Sequence, residues 1–217
     1  MAKAQKALVF QAQGRLDDAA RELESLTLTP DGELLSPLVV QASLRRQPES
    51  AIPKLEALLK LDQAEGSVGR NSVDLNLSLG QLRRLAGDLQ GARLNDQEAL
   101  DELKVELAKQ SENADIHSYL ALAYCGLGAA AEATRHAALA VKAVPIEKDA
   151  LSGAYYLDIQ ARVWARVGDR DAAIPAIERL MKLPGPMPLT EALLKLDPDF
   201  DKLRTDSRFK ALLSGPR

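Results

Sequence analysis

HSYLALAYCGLGAAAEATRHAALAVKAVP, residues 117–145, is the stretch whose reading decides the fold. Apolar and small residues recur every three to four positions on both sides of Gly128, the spacing of amphipathic helix rather than strand. Gly128 sits between the two runs, where a left-handed turn can end a first helix at little steric cost. Small residues (Ala121, Ala133, Ala137) at fixed places let two antiparallel helices approach closely, and larger ones fill the groove between them. The stretch therefore reads as one helical hairpin, a unit too small to bury its apolar face alone.

Working outward, the same pattern returns. LDIQARVWARVGDRDAAIPAIERLMKLP (157–184) repeats it with Leu157, Ala161, Trp164, Gly168, Ala173 and Ile177. NLSLGQLRRLAGDLQGARLNDQEAL (76–100) supplies Leu79, Gly80, Gly87, Ala92 and Ala99, and ALVFQAQGRLDDAARELESL (7–26) supplies Ala7, Phe10, Gly14, Ala19 and Leu23. A degenerate fifth unit shows by self-similarity, AIPKLEALLKL from Ala51 paralleling AIPAIERLMKL from Ala173. Asp88 and Asp169 follow turn glycines, where each can cap the next helix. The reading is all-α: an α-solenoid of about five antiparallel hairpins (about 2–28, 33–62, 73–110, 114–144 and 154–183) with a short-helix cap over 189–213, in one domain spanning 1–217. Ala92, Ala133 and Ala173 are about 40 residues apart, long for such a unit, so 88–109 is expected to carry a helix of about 20 residues. QAEGSVGRNS (63–72) is the expected loop and LPGPMP (183–188) the expected stop.

The cap expectation rests on LDPDFDKLRTDSRFKALL, 196–213. Asp197 and Asp206 read as N-caps, and Pro198 suits a first helical position. Phe200, Leu203, Phe209 and Leu212 are then apolar pegs on short helices. The terminal unit of a repeat array needs such a polar-backed cover, which predicts burial of both phenylalanines near Ile177, Leu180 and Leu183.

His117, Leu120, Ala121 and Tyr124, followed by Ala133, Ala137 and Pro145, give a spacing that resembles the tetratricopeptide repeat (TPR), with His in the Trp place and Ala in the Gly and Phe places. Over 113–213 the chain further resembles the C-terminal TPR region of large bacterial regulators: eukaryotic-like serine/threonine kinases, winged-helix regulators and adenylate-cyclase-type proteins. Lys148, Asp149, Gly153, Tyr156, Gly168, Asp169, Leu196, Asp197, Pro198, Leu203, Arg204, Asp206, Arg208 and Phe209 carry it. Ser207 departs from that pattern, which has Pro there. The resemblance implies that the first helix of each hairpin lines a concave groove. That places Gln81 and Arg84 in the third hairpin's groove and Tyr155, Asp158, Arg162 and Arg166 in the fifth's. The Lys/Asn signature of a carboxylate clamp is absent, since the fourth hairpin has Asp115, Ser118, Leu122 and Cys125 there.

Composition bounds the function. Charged residues make up 27%, with a net charge of −3 and both signs interspersed, which argues against the clustered Lys/Arg that neutralise phosphates. Aromatics are 4%, too few for base stacking. A single cysteine excludes an intrachain disulfide and suggests a reducing compartment. No stretch approaches the roughly 20 apolar residues of a membrane span, so a cytoplasmic location is expected, with no membrane and no nucleic acid as partner. GLGAAA (126–131) matches a dinucleotide fingerprint in form, but that chemistry needs a preceding strand. Cys125 with His117 or His136 is a nominal nucleophile pair; a buried thiol and surface histidines are the plainer expectation. One Cys and two His cannot close a zinc site alone, so no metal, cofactor or catalytic residue is assigned and no enzyme is expected.

The function expected is a non-catalytic protein–protein interaction scaffold, its groove taking a peptide or protein partner of acidic character. The plainer account of Asp158, Arg162 and Arg166 is a solvated helix face with an i,i+4 pair. Two other readings are a C-terminal sensory fragment of a larger kinase, cyclase or transcription regulator, and an oligomerisation domain forming a homo-oligomer. Trp164 is expected in the core, and Tyr155–Tyr156 to split between core and groove.

Overall fold

A computed structural model describes residues 2–24, 26, 35–64, 70–183 and 189–214. Every regular element among them is helical. The chain forms two compact units, residues 1–102 and 103–217.

The first unit contains α1 (Ala2–Ala12), α2 (Leu16–Glu24), α3 (Leu35–Leu44), a 3₁₀ turn (Pro48–Ser50), α4 (Ile52–Ala64), α5 (Arg70–Leu85) and the start of α6 (Leu89–Lys109). α1 packs on α2 and α3, and α5 packs on α3 and α4. Val39, Ala42, Leu55, Leu58, Leu75, Leu79 and Leu82 form its core. Burying that many aliphatic side chains supplies the main driving force, about 1.5–3 kcal/mol for each large one. A buried amide chain fixes α1 against α3. Gln11 Nε2 donates to the Pro37 carbonyl (2.8 Å) and to Gln41 Oε1 (3.0 Å), and Gln41 Nε2 donates to the Leu16 carbonyl (2.8 Å).

The second unit contains α7 (Ala114–Gly126), α8 (Ala130–Ala143), α9 (Ala150–Val167), α10 (Arg170–Met181), α11 (Glu191–Leu196), a 3₁₀ helix (Pro198–Leu203) and α12 (Ser207–Leu212). Neighbouring helices pack in order, α7 on α8, α8 on α9 and α9 on α10, with the 3₁₀ helix against α9 and α12 against α10. Ala121, Ala133, Ala137, Ile159 and Val163 pack as one cluster, their small side chains setting the close approach of α7, α8 and α9.

One turn recurs five times. Gly14, Gly87, Gly128 and Gly168 all have φ between 73° and 90°. In each case the next residue's N–H donates to the carbonyl five positions before it: Arg15 to Phe10, Asp88 to Arg83, Ala129 to Tyr124 and Asp169 to Trp164, at 2.8–2.9 Å. These bonds satisfy carbonyls that the end of a helix leaves without partners. The fifth copy has no glycine. Arg46 takes its place at φ 53°, and Gln47 N–H donates to the Ala42 carbonyl at 2.9 Å. Five residues beyond each turn lies an alanine with at most 1% exposure: Ala19, Ala51, Ala92, Ala133 and Ala173. Seven residues before it lies Ala7, Val39, Gly80, Ala121 or Ala161.

The 88–109 helix has 21 residues, as the excess spacing predicts. Asp88 accepts from Gly91 N–H (2.9 Å) and Asp169 from Ala172 N–H (3.1 Å), so both cap as expected. Two boundaries differ. α9 begins at Ala150, four residues before the expected start, because Asp149 accepts from the N–H groups of both Leu151 and Ser152. The expected 63–72 loop is shorter, since 63–64 and 70–72 are helical; 65–69 lie outside the described residues. Of the expected LPGPMP stop, 184–188 also lie outside them, and α10 ends just before, at Met181. Phe200 and Phe209 are fully buried with Ile177 and Leu180, and Leu183 packs against the same cluster.

Candidate functional site

α9 carries the residues that the sequence assigned to a groove. Leu151, Tyr155, Asp158, Arg162 and Arg166 follow one another at three- and four-residue steps, so they share a face. Exposure falls along it. Leu151 and Tyr155 are 64% and 45% exposed, whereas the Arg162 and Arg166 side chains are 20% and 17% exposed. The segment after α11 covers the second half.

That cover is built from the DPDFD stretch (197–201). Arg162 Nε donates to Asp158 Oδ2 at 2.7 Å, one turn back on α9. Its Nη1 donates to Asp197 Oδ2 at 2.6 Å and to Asp199 Oδ2 at 3.1 Å. Arg166 Nε lies 3.8 Å from Asp199 Oδ1. The Phe200 ring sits beneath the Arg162 guanidinium, 5.2 Å from its carbon. Lys202 Nζ donates to the Arg166 carbonyl at 2.6 Å, near the end of α9. Asp197 has a second role, its Oδ1 accepting from Asp199 N–H at 3.0 Å to cap the 3₁₀ helix. Sequence order explains the convergence: Pro198 fixes the first helical position, Asp197 and Asp199 then flank it, and Phe200 anchors both in the core.

Burial and charge oppose each other here. Burial raises the Asp199 carboxyl above its ordinary value and nearby Asp197 adds to this, while Arg166 and Arg162 pull it down. Burial works against the Arg162 charge, and Asp158, Asp197 and Asp199 outweigh it, so the guanidinium is held more firmly protonated than usual. The structure thus gives Arg162 and Arg166 an acidic, aromatic occupant within the chain itself. The i,i+4 pair of the plainer account is present, but the face around it is covered rather than solvated.

Tyr155 and Tyr156 separate, Tyr156 into the core and Tyr155 toward solvent. Tyr156 is buried and its hydroxyl donates to Asp115 Oδ1 at 2.8 Å, while Tyr155 meets its ring edge-on at 5.2 Å. Trp164 packs against the core of the second unit. In the first unit Gln81 Nε2 donates weakly to Ser43 Oγ at 3.4 Å, and Arg84 pairs with the buried Asp96. Gly80 makes room for that pair, since a Cβ there would lie 2.5 Å from Asp96 Oδ1. Arg83 joins Glu56 (2.6 Å) to Asn95 (2.7 Å), and Asn95 donates on to Asn76 (2.7 Å). Ser118 is fully buried, its hydroxyl donating to the Asp115 carbonyl at 2.8 Å, so it lines no surface groove.

The expectation of surface histidines is corrected. His117 and His136 are 6% and 2% exposed, and their Nδ1 atoms lie 2.9 Å apart between α7 and α8. They were misplaced because a 19-residue separation says nothing by itself about contact; the hairpin turn at Gly128 brings them together. Cys125 is half-buried against the alanine-rich α7–α8–α9 cluster. Gly128 follows helix α7 and forms the hairpin turn, so GLGAAA lacks the strand that a dinucleotide site needs. Among the described residues no group of three or more His, Cys, Asp or Glu is placed to hold a metal, and no helix is long and apolar enough to cross a membrane.

Comparison with protein-family models, curated proteins and solved structures returns no match for this chain.

Proposed function

We propose that the chain is a non-catalytic helical-repeat module of the TPR type, holding a peptide or protein partner against the first helices of its hairpins. The recurring turn supports this reading: five left-handed turns, each followed five residues later by a fully buried alanine. Such repetition builds copies of one supersecondary unit, the design of scaffolds that present extended surfaces. The partner-facing part of α9 is its uncovered first half, Leu151 and Tyr155, bordered by the Asp158–Arg162 pair. An aromatic ring half in solvent beside an exposed leucine suits a peptide with an apolar anchor.

A photo-crosslinking amino acid placed at Tyr155, and separately at the outward Lys182, tests this in the native host. One discrete adduct from position 155, lacking from 182 and lost on Leu151→Asp, is the expected result. Equal adduct patterns from both positions would overturn the reading.

A further inference from the structure

The buried histidine pair has a hydrogen-bond direction that chemistry fixes without ambiguity. The Ser111 carbonyl only accepts, and it lies 3.0 Å from His117 Nε2, so that nitrogen carries the proton. A guanidinium only donates, and Arg135 Nη2 lies 2.9 Å from His136 Nε2, so that nitrogen is bare. With both rings neutral, His136 must then carry its proton on Nδ1 and His117 must present a bare Nδ1. The 2.9 Å contact between them is a single His136-to-His117 hydrogen bond. The result is a one-way chain, Arg135 to His136 to His117 to the Ser111 carbonyl, linking α8 to α7 and to the turn before it. Tyr124 of α7 stacks on His136 at 5.4 Å and closes it from the other side.

Next to this chain stands an alternative partner. Glu132 Oε2 is 3.9 Å from His136 Nε2 and at present pairs with Arg135 at 2.7 Å. The side chains of Arg135 and Glu132 are 56% and 45% exposed, so both can move without disturbing the core. Arg135, His117 and Glu132 are the charged or titratable groups acting on His136. From α9, Ile159 and Val163 pack into the α7–α8 cluster as apolar groups, and the Tyr156 hydroxyl is committed to Asp115.

We propose that this chain is an acid switch: a proton taken up at His136 Nε2 releases Arg135 and turns the new N–H to Glu132. The proton comes from solvent and Nδ1–H stays in place, so the link between the rings survives. Only the outward partner is exchanged. Burial, then Arg135, then His117 lower the His136 pKa to about 4, with Glu132 opposing. The unfolded ring titrates near 6.5, so between those values the unfolded state binds more protons and stability falls as pH falls.

His117 and His136 are the only two histidines in the chain, so long-range ¹H–¹⁵N spectra of the intact protein resolve both rings. At neutral pH the expected forms are Nδ1–H for His136 and Nε2–H for His117. Arg135→Gln should raise the His136 midpoint from about 4, and Glu132→Gln should lower it. Both substitutions are at half-exposed side chains, so folding is retained. A His136 ring titrating near 6.5, or a His136 midpoint unmoved by both substitutions, would overturn the proposal.

Discussion

Replacing Arg162 with Gln leaves a shorter, uncharged polar side chain and removes the one charge that Asp158, Asp197 and Asp199 share. The three ion-pair contacts lie at 2.6–3.1 Å, and the Asp197 and Asp199 side chains are only 11% and 13% exposed. Breaking a fully buried pair costs about 3–5 kcal/mol because the abandoned charge stays desolvated; the residual exposure here reduces this to about 2–3 kcal/mol. Loss of the guanidinium over Phe200 acts in the same direction. Urea unfolding at pH 7 measures the loss. The pH dependence gives a second test. Asp199 already titrates above its ordinary range, and without Arg162 it moves higher. Between the unfolded value and that raised one the folded state binds the extra proton, so the variant gains stability as pH falls through the window. The gap to the unaltered protein therefore narrows in acid. Asp199→Asn in the Arg162→Gln background should restore part of the loss, giving a coupling of about 1 kcal/mol or more between the two positions. A loss under about 0.5 kcal/mol, unchanged between pH 7 and pH 4, would place this network among surface pairs of no consequence.

Phe209→Ala should cost about 3–5 kcal/mol, since the ring is fully buried. Hydrogen exchange should then quicken over 154–213, and unchanged rates there would sink the packed-cap account. Gly153→Ala should cost about 1–3 kcal/mol, because the added Cβ would lie 2.5 Å from the Ile146 Cα and 2.6 Å from its N, backbone atoms that cannot step aside. Thermal melts that match the unaltered protein would refute it.

Much of the fold was legible because its signals are local. A glycine between two 3.6-residue patterns marks a left-handed turn, and Gly14, Gly87, Gly128 and Gly168 all adopt one. Asp88, Asp169, Asp197 and Asp206 are caps because a short carboxylate can reach free N–H groups without help from elsewhere. Arg46 was illegible as a turn, since arginine has no preference of its own for the positive φ it adopts. Only its place five residues before Ala51 could have marked it. The candidate site depends on contacts between residues far apart in sequence, which spacing along one helix cannot reveal. Arg162 and Arg166 were rightly placed on one face, but their acids return from 35 and 33 residues away. Two aspartates flanking Pro198 just before a phenylalanine were the available hint. The His117–His136 pair left no signal beyond the facing positions of one hairpin.

The repeated turn is the centre of the account, and Arg46 tests it most directly. If residue 46 occupies the glycine place of a fifth copy, its left-handed backbone costs roughly 1–2 kcal/mol as an L-residue. Glycine would relieve that but loses about 0.5–1 kcal/mol more entropy on folding. Arg46→Gly should therefore raise the unfolding free energy by about 0.5–1 kcal/mol. Gly128→Ala should lower it by about 1 kcal/mol from backbone strain alone, because an added Cβ there meets nothing within 4 Å. Equilibrium urea unfolding of the two variants side by side decides the matter. Opposite signs are the predicted result, and a loss of stability in Arg46→Gly matching that of Gly128→Ala would contradict the five-fold repeat.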